Sequence, residues 1–239
     1  MKSTNENIRR YVLMEGVDSK TEIYQYMDLD YLLCLLEKKK YHVNKKCVFL
    51  DKYESKLPVK AMFRQKAVGG EMENIQPEID TYEILERRRK YEQMKDVLTS
   101  CWTERDTESY LMWASYASKI GVCIKSTISN FVASFEVDNY RIWCGRVMYK
   151  EYNANQTLME SLFSKEKAFE DEREIRFYFK KKGVCCCDSN FIEIPINPNV
   201  MIDKVILSPR MEPLASRVLS QFLHEKYKII VSHSKLLLK

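Results

Sequence analysis

Apolar and polar positions alternate along the chain with two different periods, and each period indicates one kind of element. Leu29, Leu32 and Leu36 recur at the three- and four-residue spacing of an amphipathic helix, which predicts a helix over residues 29–40. Asp28 directly precedes this run, and aspartate is a favoured residue at helix N-termini. Where apolar residues instead occur at every second position, the chain is expected to form strands.

The two periods assign elements to most of the chain. Strands are predicted at residues 23–27, 41–43, 47–50, 98–103, 121–125, 140–150, 172–180, 191–196, 201–207 and 228–232. Helices are predicted at residues 29–40, 107–118, 127–134, 155–170 and 212–226, with a longer one from Pro77 to about residue 97. Because strands and short helices alternate irregularly, the sequence favours an α+β fold over a doubly wound parallel sheet.

The length of the chain limits how many domains it can form. A chain of 239 residues is long enough for one sizeable core, so a single domain over residues 1–239 is predicted. The periodicity fades between residues 51 and 76, which predicts a long loop of the kind that often has a functional role. Residues 233–239 are expected to form a C-terminal tail.

The composition argues against a membrane protein. About 45% of residues are apolar and 31% are charged, and the longest apolar runs are far shorter than a bilayer requires. Residues 1–7 are polar and lack the apolar stretch of a signal peptide, so a cytoplasmic location is expected.

Positive charge is clustered more strongly than the net charge of +5 suggests. Basic clusters occur at residues 38–40, 45–46, 87–90 and 180–182. They are either solvated helix ends and loops or a surface that binds a polyanion such as RNA or DNA.

The sequence lacks the common signatures of metal sites and of several enzyme classes. None of the eight cysteines has zinc-site spacing, and neighbours in the run Cys185-Cys186-Cys187 cannot easily all bind one metal. Phosphate-binding glycine loops, zinc-protease motifs and serine-hydrolase elbows are also missing. We therefore predict no metal site and assign no role to the cysteine run. Of the three histidines, only His42 is flanked by strand-like sequence.

The first segment with candidate chemistry runs from residue 101 to residue 124. Trp102 lies at the end of a predicted strand, and the helix that follows carries Trp113, Ser115 and Tyr116. Trp113 and Tyr116 are three residues apart and therefore share one helix face. The helix either packs its aromatic residues on the sheet or offers a stacking wall and a hydroxyl group to a planar ligand.

The second candidate segment is Glu172-Arg173-Glu174-Ile175-Arg176. If it forms a strand, Glu172, Glu174 and Arg176 lie on one face. These charges are either solvated or form a carboxylate held beside an arginine in a cleft, where it can stabilise developing positive charge.

These segments occur in an order that resembles a known family. The motifs that carry the resemblance are Tyr24-Gln25-Tyr26, Phe49-Leu50-Asp51-Lys52-Tyr53-Glu54, Cys101-Trp102-Thr103-Glu104, Met112-Trp113-Ala114-Ser115-Tyr116-Ala117, Gly121-Val122-Cys123-Ile124 and Glu172-Arg173-Glu174-Ile175-Arg176. The chain is similar over most of its length to the bacterial domain-of-unknown-function family 2971. Membership of that family does not imply any particular reaction.

A more distant similarity links the same layout to the ADP-ribosyltransferase toxins. It implies split mixed and antiparallel sheets with flanking helices, and NAD as the substrate. It implies Glu174 as the catalytic residue, with Glu172 as the other candidate. The residues implied in NAD binding are Tyr26, Trp102, Trp113, Ser115, Tyr116 and Arg176. Tyr26 occupies the position where that superfamily has a histidine or arginine.

The resemblance therefore predicts an NAD-dependent ADP-ribosyltransferase that acts as a bacterial toxin or defence effector. Nucleic acid, and RNA in particular, is the favoured acceptor because of the basic clusters, with a protein acceptor second and an antitoxin protein as a possible partner. Two alternatives remain: a non-enzymatic module that binds nucleic acid or protein, and a metal-dependent nuclease that uses Glu172, Glu174 and a lysine. The transferase hypothesis requires Tyr26, Trp113, Ser115 and Glu174 to meet in one cleft.

Overall fold

A computed structural model describes residues 11–45, 97–105, 107–117, 119–150, 158–181 and 191–236. In chain order the strands are β1 (Tyr11–Leu13), β2 (Glu22–Asp28), β3 (Lys40–Lys45), β4 (Leu98–Thr103), β5 (Gly121–Thr127), β6 (Tyr140–Arg146), β7 (Met148–Tyr149), β8 (Ser164–Lys165), β9 (Glu174–Lys181), β10 (Phe191–Pro195), β11 (Lys204–Leu207) and β12 (Val231–His233). The helices are α1 (Leu29–Lys38), α2 (Tyr110–Tyr116), α3 (Ile128–Ala133), α4 (Leu158–Leu162), α5 (Pro198–Met201) and α6 (Pro213–Tyr227), with a 3₁₀ helix at Lys167–Glu172.

Ten of these strands form one large, mostly antiparallel sheet. Its main path runs β1-β6-β9-β4-β2-β5-β11-β12, and β3 joins β4 and β10. The β1–β6 and β11–β12 pairs are parallel, and β7 and β8 form a small separate sheet. The α+β prediction is confirmed, in a single compact domain, but most strands join one sheet instead of dividing between split sheets. Within the described ranges, no helix is long and apolar enough to cross a membrane.

One face of the large sheet carries the main hydrophobic core. Ile175, Phe177 and Phe179 alternate along β9 onto this face and are fully buried. Phe131 of α3 packs against them, with its ring centroid 4.5 Å from that of Phe177. Each large apolar side chain removed from water contributes roughly 1.5–3 kcal/mol, so this face anchors the sheet.

The opposite face is polar at its centre and is here called the cavity face. Residues directly opposite each other in antiparallel strands share a face. Thr103 and Glu174 are such a pair, and so are Cys101 and Arg176. The pairing of β4 with β9 therefore places Glu174 and Arg176 beside the polar side chains of β4.

Two groups of elements cover the cavity face on either side of β4. On one side α2 packs over β2 and β5 through a cluster that includes Tyr26 and Trp113. On the other side α4 and the residue after it pack over β9 through Leu162, Phe163 and Tyr178. The cavity face is left open between these covers.

Strand β4 also changes its neighbour along its length. It pairs with β2 at Tyr24–Thr103, whereas its other end pairs with β3 at Asn44–Thr99 and Lys45–Leu98. The strands diverge between these points, and the side chain of Gln25 fills the gap by donating from Nε2 to the Cys101 carbonyl at 3.2 Å. Polar side chains thus replace ladder hydrogen bonds beside the open part of the cavity face.

Several predicted elements are confirmed, and others are wrong. The strands predicted at 23–27, 98–103 and 121–125 and the helices predicted at 29–40 and 212–226 match observed elements to within a few residues. The predictions for residues 47–50, 51–76, Pro77 to 96 and Cys185–Cys187 lie outside the described residues. The strand predicted at 201–207 is shorter, because Pro198–Met201 forms α5.

The predicted helix at 155–170 is wrong over most of its described part. Its helical part is α4, and Ser164–Lys165 then pairs in parallel with Met148–Tyr149. The hydrogen bond from the Met148 amide to the Phe163 carbonyl, 2.7 Å long, belongs to this tertiary contact. Pairing with a distant segment thus overrides the local helical pattern.

The strand predicted to begin at residue 172 begins two residues later. Glu172 ends the 3₁₀ helix, and Arg173 has a left-handed backbone with φ of 45°. An arginine with positive φ is uncommon and has no sequence signature. Glu172 therefore reaches the site from a turn instead of from the face of β9, which corrects the prediction that it shares a strand face with Glu174.

Candidate functional site

A cavity of about 260 Å³ lies on the cavity face, between α2 and the segment from Lys165 to Glu174. Strands β2, β3 and β4 form its floor. The residues that line it are Tyr24, Gln25, Tyr26, Tyr41, His42, Asn44, Thr99, Ser100, Cys101, Trp102, Thr103, Met112, Tyr116, Lys165, Glu172 and Glu174. Aromatic rings and uncharged polar groups dominate this lining, and its carboxylates lie together at one end.

Glu174 is a buried carboxylate held in a two-point ion pair. Arg176 donates from Nε to Oε1 at 2.7 Å and from Nη2 to Oε2 at 3.0 Å, and its Nη1 donates to the Leu162 carbonyl at 2.7 Å. Burial by itself raises the pKa of Glu174, but the charges of Arg176 and Lys165 and a hydrogen bond from Cys101 outweigh it and hold the pKa below its ordinary value. Glu174 is therefore ionised at neutral pH, with its geometry fixed.

Glu172 lies on the cavity wall with a different set of partners. Its Oε1 accepts from the Tyr116 hydroxyl and its Oε2 from Lys165 Nζ, both at 2.7 Å. The Thr103 hydroxyl donates to its backbone carbonyl and so fixes the turn to β4. A carboxylate has about four acceptor positions, so both oxygens of Glu172 can still accept from a ligand.

Lys165 connects the two carboxylates. Its ammonium lies 2.7 Å from Glu172 and 3.7 Å from Glu174, with only 9% of the side chain exposed. It also lies 4.5 Å from the ring centroid of Phe169, which further fixes the cation. Together with Arg176, it balances the two negative charges of this end of the cavity.

Tyr116 reaches the carboxylate end from α2. Burial of its hydroxyl raises its pKa, and the hydrogen bond to Glu172 and the charge of Glu172 raise it further. The phenol is therefore a neutral donor, while the residue as a whole is 47% exposed at the mouth of the cavity.

The gap between β2 and β4 contains a directed chain of hydrogen bonds. Trp102 Nε1 donates to Ser100 Oγ at 3.0 Å, and Tyr41 donates to Gln25 Oε1 at 3.0 Å. Because the Tyr41 proton is used in this way, Ser100 must be the donor in the 2.6 Å contact between the two hydroxyls. Gln25 completes the chain at the Cys101 carbonyl. These groups satisfy one another, so this part of the floor is rigid.

Tyr26 lies on the floor under α2. Its hydroxyl accepts from the backbone amide of Ser109 at 3.3 Å, just before α2 begins. Its ring meets that of Trp113 edge to face, with centroids 4.9 Å apart. Trp113 is fully buried behind it and donates from Nε1 to Glu108. Tyr26 thus holds α2 in place and presents a neutral phenol where the resemblance implies a cation.

The structure brings some of the predicted site residues together and separates others. Those that line the cavity are Tyr26, Trp102, Tyr116, Glu172 and Glu174. Trp113 is buried in the cluster between α2 and the sheet and Ser115 is exposed, so neither is part of the lining. Arg176 contributes through its ion pair with Glu174. The predicted meeting of four residues in one cleft is thus correct for Tyr26 and Glu174 and wrong for Trp113 and Ser115.

Several residues that shape the cavity are not among the predicted site residues. Lys165 lay inside a predicted helix, where nothing marked it as a partner of Glu172. Gln25 and Tyr41 had the correct strand assignment, but their polar groups gave no functional signal. His42, already singled out by its strand-like flanks, lines the end of the cavity away from the carboxylates.

Lys165 occupies the space between the two carboxylates. Among the described residues there is no group of three or more histidine, cysteine, aspartate or glutamate side chains that could hold a metal ion. The ammonium of Lys165 lies between Glu172 and Glu174, where a shared divalent cation would have to lie. The remaining acceptor positions suit ligand hydroxyl or amine groups.

The chain was compared with models of known families, with curated proteins and with solved structures. None matches. The resemblance to family 2971 and to the transferase toxins therefore stays a prediction.

Proposed function

We propose that the protein is an NAD-dependent ADP-ribosyltransferase whose reacting centre lies at the carboxylate end of the cavity. The observation that carries the proposal is the hydrogen bond from Tyr116 to Glu172. This bond joins the motif at residues 112–117 to the motif at residues 172–176, although more than fifty residues separate its two partners in the sequence. Tyr26, from the motif at residues 24–26, lies on the floor of the same cavity.

The cavity suits the reacting half of the dinucleotide. Ligand pockets usually enclose roughly 300–1,000 Å³. At about 260 Å³, this one has room for the nicotinamide riboside part but not for the whole molecule. Tyr24, Tyr26 and Tyr116 supply aromatic surface for the pyridinium ring, and a pyridinium cation is favoured against such faces.

The carboxylates would act on the charge that develops in the reaction. As the bond between C1′ of the ribose and the nicotinamide nitrogen breaks, its electron pair leaves with nicotinamide and C1′ becomes oxocarbenium-like. The acceptor then forms a bond to C1′ and loses a proton. A fixed anion beside the ribose stabilises this transition state more than the ground state, because the positive charge moves from the pyridinium ring to C1′ only as the bond breaks.

The two glutamates fit different parts of this step. Glu174 is ionised and immobile, so its role would be electrostatic. Glu172 is held from one side by Tyr116 and Lys165 and has free acceptor positions, so it would hydrogen-bond a ribose hydroxyl or take the acceptor proton.

The site differs from the transferase pattern where the diphosphate of NAD would be bound. Tyr26 is neutral, and among the described lining residues the fixed cation is Lys165, which is already paired with Glu172. The diphosphate would therefore lie outside this cavity and meet other cations.

The biological role is part of the same proposal. An enzyme of this class would act as a bacterial toxin or defence effector, with a nucleic acid as acceptor, RNA before DNA, and a protein acceptor as the alternative. A neutralising antitoxin would then be expected. The basic clusters at residues 38–40 and 180–182 support a polyanionic acceptor.

A labelling experiment tests this function. The protein is incubated with NAD labelled in its adenylate part, together with total RNA, DNA or cell lysate. We expect transfer of label and release of nicotinamide, with both lost in Glu172→Gln and Glu174→Gln and retained in Glu136→Gln, an exposed glutamate outside the cavity lining.

Thermal melting separates a catalytic effect from unfolding, because Glu174→Gln also breaks a buried ion pair. Glu172→Gln should lose turnover with a smaller loss of stability. If the wild-type protein neither transfers label nor releases nicotinamide with any acceptor, the proposed function is wrong.

A further inference from the structure

The end of the cavity away from the carboxylates contains a buried hydroxyl group without a partner. Thr99 lines the cavity and is only 2% exposed, and its Oγ1 makes no hydrogen bond to any described residue. Buried polar groups are nearly always paired, because leaving one unpaired costs folding free energy. A ligand that exchanges a hydrogen bond with Thr99 would remove this cost.

Strand register places three further groups next to Thr99 on the cavity face. Asn44 is directly opposite Thr99, and Phe191 is directly opposite Asn44. His42 lies two residues before Asn44 and therefore points to the same face. These residues form one continuous surface across β10, β3 and β4.

This surface combines an aromatic stack with hydrogen-bonding groups. The rings of His42 and Phe191 are stacked with centroids 4.0 Å apart and planes inclined by 22°, and both residues are exposed. His42 Nε2 lies 3.1 Å from Asn44 Oδ1. An amide oxygen only accepts, so the imidazole is the donor, and the Asn44 NH₂ group remains as a donor for a ligand.

We infer that this end of the cavity binds a base of a single-stranded nucleic acid. Proteins that bind single strands stack bases on exposed aromatic rings and hydrogen-bond the base edges with side-chain amides and hydroxyls. The His42–Phe191 stack, the Asn44 amide and the Thr99 hydroxyl supply that combination within one surface.

Basic side chains lie at the same end of the sheet and suit the phosphates of such a strand. Lys180 and Arg141 are directly opposite each other in β9 and β6, and both are exposed. Strand alternation places Lys180 on the cavity face, because Tyr178, two residues earlier, is opposite Thr99.

The one nearby acidic group on this face is already neutralised within the described structure. Glu193 is directly opposite His42, and its two oxygens lie 3.4 Å from Lys38 Nζ and 3.3 Å from Lys40 Nζ. The surface around the stacked rings therefore has a positive balance, which attracts phosphate.

This inference rests on the proposed function only in naming the bound strand as the acceptor. Thr99 and Thr103 are four residues apart in β4, so the base site and the carboxylate end are separated by about 13 Å. That distance is a few nucleotides at most, so a bound base would guide a neighbouring nucleotide to the reacting centre.

Direct binding, measured without NAD, tests the inference. Fluorescence anisotropy is recorded with labelled single strands of about 12 nucleotides, as RNA and as DNA, and with a duplex of the same length. We expect the wild type to bind single strands more tightly than the duplex, and to bind more weakly as salt rises. The RNA and DNA arms show whether the 2′-hydroxyl contributes.

Two variants locate the bound base. Thr99→Val keeps the side-chain shape and should weaken binding roughly fivefold to tenfold without lowering the melting temperature. His42→Ala should weaken it roughly tenfold or more, whereas His224→Ala, an exposed histidine on α6, should bind like the wild type.

The inference is overturned if single strands do not bind, or if Thr99→Val and His42→Ala bind them as tightly as His224→Ala does. The inference is also overturned if label is transferred to a protein acceptor while no single-stranded nucleic acid binds. Failure of ADP-ribosyl transfer alone would leave the binding result unchanged, so the two proposals fail separately.

Discussion

Replacing Glu174 by glutamine removes the counter-charge of a guanidinium that has no access to water. In the wild type, Arg176 is 1% exposed and Glu174 4% exposed, and two hydrogen bonds join them. Glutamine keeps one acceptor oxygen but places an NH₂ group against the second guanidinium nitrogen. The charge of Arg176 then remains buried and unpaired.

The expected cost follows from the burial of the pair. Breaking a buried ion pair by removing one partner costs about 3 to 5 kcal/mol, out of a total stability of about 5 to 15 kcal/mol. Glu104 and Arg146 form a chemically matched pair, with the same two-point geometry at 2.6 and 2.7 Å, but their side chains are 32% and 46% exposed. Glu104→Gln should therefore cost only about 0 to 1 kcal/mol.

Urea denaturation, followed by tryptophan fluorescence and circular dichroism, measures both losses. The double variant Glu174→Gln/Arg176→Met removes both charges and should recover most of the stability, apart from about 1 kcal/mol for the donor lost by the Leu162 carbonyl. Equal losses for Glu174→Gln and Glu104→Gln, or no recovery in the double variant, would show that burial of the unpaired charge is not the source of the cost.

Two further predictions concern the same part of the sheet. The pKa of Glu174 is lower in the folded than in the unfolded chain, so its contribution to stability is complete above the ordinary value of 4.5 and lost as pH falls through the folded-state pKa. As the pH falls below 4.5, the free energy of unfolding should decrease more steeply for the wild type than for Glu174→Gln/Arg176→Met. Parallel curves of free energy against pH would contradict this prediction. Gly145→Ala should cost about 1 to 3 kcal/mol, because its Cβ would meet Met14 Sδ at 2.7 Å and Phe163 Cδ1 at 3.1 Å. Unchanged thermal and urea melts for that variant would show that these side chains move aside freely.

Local periodicity was enough to locate most of the described elements. Strand β4 was predicted at 98–103 and is observed at Leu98–Thr103, and α6 was predicted within two residues of its observed ends. The spacing of apolar residues along a strand or helix indicates which side of that element is buried, and this spacing can be seen within the element's own sequence. The prediction failed at 155–170, where pairing of β8 with β7 depends on a distant segment.

The candidate site was only partly predictable for a related reason. Trp113 and Tyr116 lie about 60° apart around α2, and helical spacing correctly places them near each other. It does not say which side of that shared face meets the core. Trp113 is fully buried and packs α2 onto the sheet, whereas Tyr116 is 47% exposed and lines the cavity.

Local patterns in the sequence predict the α+β class, the order of the motifs and the residue types that carry candidate chemistry. Tertiary packing, by contrast, brings Lys165 to Glu172 and turns the chain at Arg173 before β9. It also buries the Glu174–Arg176 pair, whereas the Glu104–Arg146 pair stays partly exposed. The free energy of a charge depends on the water and the other charges around it. That environment is built from strands and helices far apart in the chain, and it exists only when they pack together.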